Sequence, residues 1–188
     1  MADYDTATGR WTLYANTQGG WLVKNLIGGW EISPNLELQS GFYYTPLSGF
    51  DYANTTTGVE RPDRICNGNL PRGQRTVARW FDTSCFEDAT LQADYNKGIY
   101  RFGNASRSAI LGPGIFNLDV GLYKDFQLSE RFKLQFRSEF FNAFNSPDFG
   151  NPANNANSLS TNVTQGNYGQ VVAAANGRQI QFALKLTY

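Results

Sequence analysis

The chain has 188 residues and no histidine, which removes the commonest general base and metal ligand. Ser-His and Cys-His catalysis and histidine-metal sites are therefore excluded. The other reactive side chains are poorly spaced for chemistry. Asp51, Asp82, Glu87 and Asp88 are scattered through one loop-like stretch, with nothing to hold two carboxylates as an acid–base pair. Cys66 and Cys85 have no CxxC or histidine context for redox or nucleophilic work. Gly103, Gly112 and Gly114 flank turns and lack the strand–glycine loop–helix setting that cradles a phosphate. The Asp/Asn-rich segments lack calcium-loop spacing, and the sequons at Asn54, Asn104 and Asn162 read as ordinary loop asparagines. No catalytic, metal or cofactor residue is expected, and the chain reads as a non-enzyme.

Two features of the same stretch point to other roles. Cys66 and Cys85 fit a disulfide closing a loop of about 20 residues, worth roughly 3 kcal/mol in an oxidising compartment; the alternative is two independent thiols. Arg79, Trp80 and Phe81 are candidate ligand contacts, because binding residues sit on loops held by a rigid scaffold. The competing role for RWFDTSCF (79–86) is to pack the loop onto the rim of that scaffold.

The scaffold is written in period-2 alternation. In RQIQFALKLTY (178–188) the residues Ile180, Phe182, Leu184, Leu186 and Tyr188 share one face, with Gln179, Gln181, Ala183, Lys185 and Thr187 on the other. GIFNLDVGLYKDF puts Phe116, Leu118, Val120, Leu122 and Phe126 on one face, against Asn117, Asp119, Gly121, Tyr123 and Asp125. After a short turn at 127–130, RFKLQFRSEFFNAF aligns Phe132, Leu134, Phe136, Phe140 and Phe144 against Lys133, Gln135, Arg137 and Glu139, which predicts an antiparallel hairpin. Upstream, Trp30, Ile32, Leu36, Leu38, Phe42 and Tyr44 predict a strand of about fourteen residues, long against the usual 5–6, with a bulge or local edge at Pro34. Trp11, Leu13 and Ala15 suggest a short or truncated strand before a turn at Gln18-Gly19-Gly20. Tyr168 to Ala173 is read as a short strand segment, with Ala175-Asn176-Gly177 turning into the last strand.

Between these strands lie long polar segments, 45–113 and 145–177, the first without sustained period. A loop that long counts against a compact soluble domain. The division expected is therefore 1–25 as a partial strand with its turn, and 26–188 as strands carrying long loops. The abundance of aromatics (14 Phe, 10 Tyr, 4 Trp) and Gly supports strands joined by such loops. Charge balances at 16 basic against 16 acidic residues without a like-charge block, so no nucleic-acid partner is expected. No apolar run reaches the 18 residues of a membrane helix, and MADYDTATGR has neither the basic nor the apolar region of an export signal.

Strand patterning alone fits a soluble sheet as well as a membrane wall. Three further features favour lipid on the apolar side. The strands are long enough for the roughly 9–11 residues that cross a bilayer. Connections alternate between short and very long, as in outer-membrane barrels. Aromatics gather at strand ends around an aliphatic middle of Leu36, Leu38, Leu118, Val120, Leu122, Leu134 and Leu184. Glu37, Asp119, Lys133, Arg137, Glu139 and Lys185 face the other way, where a wet lumen would suit them.

The segments LIGGWEISPNLELQSGFYYT (26–45), RPDR (61–64), LPRGQRTVARWFDTSCF (70–86), FGNASRSAILGPGIFNLDVGLYKDF (102–126), LQFRSEFFNAFNSPDFGNP (134–152) and RQIQFALKLTY (178–188) occur in an order that resembles the C-terminal barrel of TonB-dependent outer-membrane receptors. The likeness is to their Oar-like branch, whose members carry a carboxypeptidase-regulatory-like domain. It implies a bacterial outer-membrane location and an all-β, antiparallel transmembrane barrel segment of about 4–6 strands with long extracellular loops. It also implies that Ile180, Phe182, Leu184, Leu186 and Tyr188 stand where the family's final strand is read by the outer-membrane assembly machinery. The family's plug and TonB box have no counterpart in this sequence, and its strands are too few to close a barrel alone. The expected partners are therefore membrane lipid, the assembly machinery, and either the rest of a barrel or further copies of the chain. A second reading is an extracellular β-rich structural protein whose unpaired edges assemble into a ring, tube or fibre.

Overall fold

Where apolar and polar residues alternate, the chain forms the long strands of one sheet. A computed structural model describes residues 2–7, 9–13, 27–56, 58, 60–150, 161–164 and 166–188. Within them the strands are β1 (Ala2–Asp5), β2 (Arg10–Leu13), β3 (Trp30–Gln39), β4 (Tyr43–Tyr44), β5 (Asp63–Arg64), β6 (Phe86–Glu87), β7 (Ile110–Leu111), β8 (Ile115–Gln127), β9 (Lys133–Phe141) and β10 (Gln179–Thr187). The chain divides into two compact units, the first of Met1–Leu38, Phe116–Ser146 and Gly177–Tyr188, the second of Gln39–Ile115 and Pro147–Asn176.

The first unit is a sheet of six strands in the order β1-β2-β3-β8-β9-β10. The predicted hairpin is present. β8 and β9 pair antiparallel from Val120↔Phe140 to Gln127↔Lys133. The Leu128 and Ser129 amides close the turn by donating to the Phe132 carbonyl at 2.9 and 3.2 Å. β10 pairs with β9 along its whole length, from Gln179↔Phe141 to Thr187↔Lys133. β2 is the short strand expected around Trp11; its partner β1 carries no pattern that announced it. Ala15 and the Gln18-Gly19-Gly20 turn lie outside the described residues. Among the described residues β1 and β10 each have a single neighbour, and the sheet is not closed.

Two strands end earlier than alternation predicts, each for a local reason. β3 runs through Pro34 but stops at Gln39 rather than continuing to Tyr44. A Cβ on Gly41 would lie 2.0 Å from the Gly112 carbonyl oxygen, so only glycine allows that backbone approach. Phe42 and Tyr44 thus leave the β3 face, and Tyr44 is buried in the second unit. β9 stops at Phe141 because Asn142 takes φ +50°. Asn142 donates its amide to Asp119 Oδ1 at 2.9 Å and exchanges two 2.8 Å hydrogen bonds with Ser146. Phe144 therefore lies beyond the strand, stacked on Phe116 with ring centroids 6.0 Å apart.

The second unit corrects the expectation of an unpatterned loop. It holds two small antiparallel ladders, β4/β7 and β5/β6, and a helix, Ala89–Asn96. The Tyr168–Ala173 segment is irregular, with a turn at Tyr168–Gly169 and a single bridge residue at Val171, and is not a strand. Its Val171 amide donates to the Val77 carbonyl at 2.8 Å. The core gathers Phe81, Phe86, Cys85, Ala105, Ile110 and Val171. Phe81 meets Phe86 and Tyr168 edge-on at 5.9 and 5.2 Å. Cys66 and Cys85 form the expected disulfide, with Cα atoms 4.8 Å apart.

Candidate functional site

The second unit is built on ionic and disulfide struts. Arg101 grips Asp63 with two guanidinium N–H groups at 3.0 and 2.7 Å and reaches Asp94 at 2.7 Å. The Asn104 amide adds a third bond to Asp63 at 3.0 Å. These donors, Arg101 first, hold the buried Asp63 carboxyl below its ordinary range. The Arg64 guanidinium caps the Cys66 and Asn67 carbonyls at 2.7 and 2.8 Å beside the disulfide. The two arginines and the aspartate of RPDR (61–64) thus serve as fasteners, Arg61 donating to the Ala105 carbonyl at 2.9 Å.

The three candidate contact residues fall in different environments. Arg79 is exposed and pairs with Asp82 at 3.2 Å. Trp80 is half-buried; its indole N–H donates to the Leu111 carbonyl at 2.9 Å and its ring meets Phe149 edge-on at 6.2 Å. Phe81 is only 1% exposed and belongs to the core. Phe81 thus packs inward, which leaves Arg79 and Trp80 as the accessible members of the three.

What the spacing did not reveal is a cleft of about 420 Å³ in the same unit, lined by Tyr52, Thr83, Ser84, Glu87, Asp88 and Tyr168 among others. Ser48 Oγ donates to Asp88 Oδ2 at 2.9 Å, and burial raises the Asp88 carboxyl above its usual range. The Tyr168 hydroxyl is buried and has no hydrogen-bond partner among the described residues, and burial drives its ionisation far upward. Two carboxylates and several hydroxyls, with no Lys or Arg in the lining, favour neutral hydroxylated or cationic ligands over anions. Beside it Phe50, Tyr52, Tyr95 and Tyr100 form a chain of rings at 5.0, 5.2 and 5.4 Å (Phe50–Tyr52, Phe50–Tyr95, Tyr95–Tyr100). These residues come from separate segments, so no local motif could have grouped them. Among the described residues no three His, Cys, Asp or Glu side chains are placed to hold a metal ion.

The sheet presents two chemically distinct faces. On the polar face Arg10 pairs with Glu31 at 3.0 Å and lies 4.5 Å over the Tyr123 ring, which Arg137 also approaches at 5.2 Å. Tyr123 donates its hydroxyl to Glu139 at 3.2 Å, while Asp125 takes Lys133 at 2.7 Å and Gln135 at 2.9 Å. On the other face register aligns Val120, Phe140 and Ile180, then Leu122, Ser138 and Phe182, then Phe126, Leu134 and Leu186. Leu184 and Phe182 are 69% and 65% exposed, and Leu36, Leu38 and Leu186 are likewise open. So continuous an exposed apolar surface requires an apolar surrounding.

No helix among the described residues is long and apolar enough to cross a membrane. A family model for an outer membrane beta barrel domain matches residues 2–181. No curated protein and no solved structure matches the chain.

Proposed function

The chain belongs to the outer membrane β-barrel domain family, and from that premise we propose that it forms the C-terminal barrel portion of a TonB-dependent receptor, a transporter and not an enzyme. Membership places it in the bacterial outer membrane, with lipid against the apolar face of an antiparallel sheet. The observation that carries the receptor reading is the second unit. The connections β3–β8 and β9–β10 supply a disulfide-bonded, folded body with its own core and cleft, while β8–β9 is a five-residue turn between Gln127 and Lys133. Outer-membrane barrels put short turns in the periplasm and long connections outside, where ligands are met. The sequence likeness to Oar-like receptors supports the same reading. On it, Ile180, Phe182, Leu184, Leu186 and Tyr188 form the closing-strand signal for the assembly machinery.

An antibody against the 61–86 segment, used on outer-membrane fractions, tests the proposal. The receptor reading expects a polypeptide several-fold longer than 188 residues, with a plug and a TonB box in its N-terminal sequence. The second reading, a self-assembling structural protein, is favoured by the single neighbours of β1 and β10. It expects chains of the present length in a detergent-stable ring or filament, and that result would overturn the receptor proposal.

A further inference from the structure

In GIYRF (98–102) the usual sorting of side chains is inverted. Arg101 turns inward to Asp63 and Asp94, while Ile99, Tyr100 and Phe102 stand 51%, 54% and 56% exposed. The three bonds of Arg101 fasten the segment, so its apolar side chains are displayed from a fixed backbone. We propose that this face of the second unit, with the cleft beside it, binds a neutral oligosaccharide. The inference concerns the second unit alone and holds whether the chain is part of a receptor or a self-assembling protein.

Three observations lead to it. The first is a platform of rings. Tyr100 meets Tyr95 edge-on at 5.4 Å, Tyr95 meets Phe50 edge-on at 5.2 Å, and Phe50 leans on Tyr52 at 5.0 Å. Tyr52 is buried, whereas Phe50 and Tyr100, on either side of Tyr95, keep about half of their surface open. A sugar ring carries C–H groups on its faces and hydroxyls around its rim. Its apolar face can therefore stack on an open aromatic ring while the rim stays free to form hydrogen bonds.

The second is what adjoins the platform. Tyr52 also lines the cleft of about 420 Å³, a size usual for small-ligand sites. Ser84 and Thr164 are exposed in that lining and Glu87 is half-buried. Glu87 accepts from the Thr90 hydroxyl at 2.8 Å and, among the described residues, pairs with no Lys or Arg. A carboxylate can accept from two neighbouring hydroxyls, the pattern a sugar rim presents. The third is charge. The cleft lining has carboxylates and no Lys or Arg, which disfavours an anion. Lys97 stands exposed where the helix Ala89–Asn96 ends, one turn from Tyr95, which disfavours a cation. A ligand long enough to touch both places meets charges of opposite sign, so a neutral one suits both.

The test is calorimetric titration of the full chain in a polyoxyethylene detergent, which has no sugar headgroup, with cellohexaose, maltohexaose and mannohexaose. At least one is expected to bind, and Tyr100→Ala and Phe50→Ala should each weaken it about tenfold. Tyr100→Phe, which keeps the ring, should bind as the native chain does. Tyr100→Leu, apolar but without a flat ring, should bind as weakly as Tyr100→Ala. Glu87→Gln should also weaken binding, and Tyr43→Ala, which removes an exposed aromatic outside the ring chain, should leave it unchanged. Should either alanine variant fail to fold, the comparison of Tyr100→Phe with Tyr100→Leu puts the same question. Binding of none of the three sugars, equal binding by Tyr100→Phe and Tyr100→Leu, or an equal loss in Tyr43→Ala would each overturn the proposal. A face that docks a second copy would instead give a dimer that Tyr100→Ala dissociates, with no heat on adding sugar, and that too would overturn it. Sugar binding is read on the chain itself, so a negative result leaves the receptor reading standing.

Discussion

Replacing both Cys66 and Cys85 by serine removes the covalent strut of the second unit while leaving every strand of the large sheet intact. The bridge joins positions 19 apart in sequence. By loop-closure entropy it withholds about 3 kcal/mol of freedom from the opened state of a loop that size. About 3 kcal/mol corresponds to roughly a hundredfold change in an opening equilibrium at room temperature. The assay is hydrogen exchange on the chain in detergent. The Ile65 amide donates to the Cys85 carbonyl at 2.9 Å and the Asp82 amide to the Gly68 carbonyl at 2.8 Å, so both report opening of the bridged loop. Their exchange should accelerate by roughly two orders of magnitude in the double variant. Amides in the β9/β10 ladder should keep their native rates. Acceleration of less than about fivefold at Ile65, or equal loss of protection in β9 and β10, would refute the claim that the bridge stabilises a separately folded unit.

Asp63→Asn removes the negative charge and one of the two oxygens that accept from Arg101, and should cost the second unit about 2 kcal/mol, read by urea titration of Trp80 fluorescence. The same group predicts an acid limit. Because Arg101 lowers the folded-state pKa of Asp63, its stabilisation is complete above the unfolded value near 3.9 and is lost as pH falls through the folded value. The fluorescence transition should therefore move to lower urea below about pH 4, and that shift should shrink in Asp63→Asn, the remainder coming from Asp51 and Asp82, whose carboxyls are also held below their ordinary range. Gly103→Ala would set a Cβ 2.0 Å from the Arg61 carbonyl oxygen and should destabilise the unit by about 3 kcal/mol, whereas Gly73→Ala, with nothing within 4 Å, should be near neutral in the same titration. Leu122→Arg, on the lipid face of β8, should cost about 2–4 kcal/mol in unfolding from vesicles and reduce the folded fraction on a heat-modifiability gel.

What could be read from the sequence follows from how each part is stabilised. β8, β9 and β10 were legible because a strand with two different environments writes them in alternating residues. The disulfide was legible because Cys66 and Cys85 are the chain's only cysteines. The helix Ala89–Asn96 was not, since Leu91 is its sole buried residue and ATLQADYN carries no apolar stripe. The second unit's core was hidden for a related reason. Tyr44, Phe81, Ile110 and Val171 meet through tertiary packing between segments that have no periodicity of their own. Phe81 has polar neighbours in sequence yet is buried, because its contacts come from distant segments such as Tyr168.

The central claim is that one face of the sheet meets lipid and the other does not. Single cysteines introduced from Ile180 to Thr187 in the disulfide-intact chain, spin-labelled and reconstituted in phospholipid vesicles, test it residue by residue. Collision with dissolved oxygen should peak at 180, 182, 184 and 186, and collision with a water-soluble nickel chelate at 181, 183, 185 and 187, a clean period of two. Oxygen and nickel profiles that rise and fall together, or a chelate that reaches Leu184 as readily as Lys185, would contradict the account.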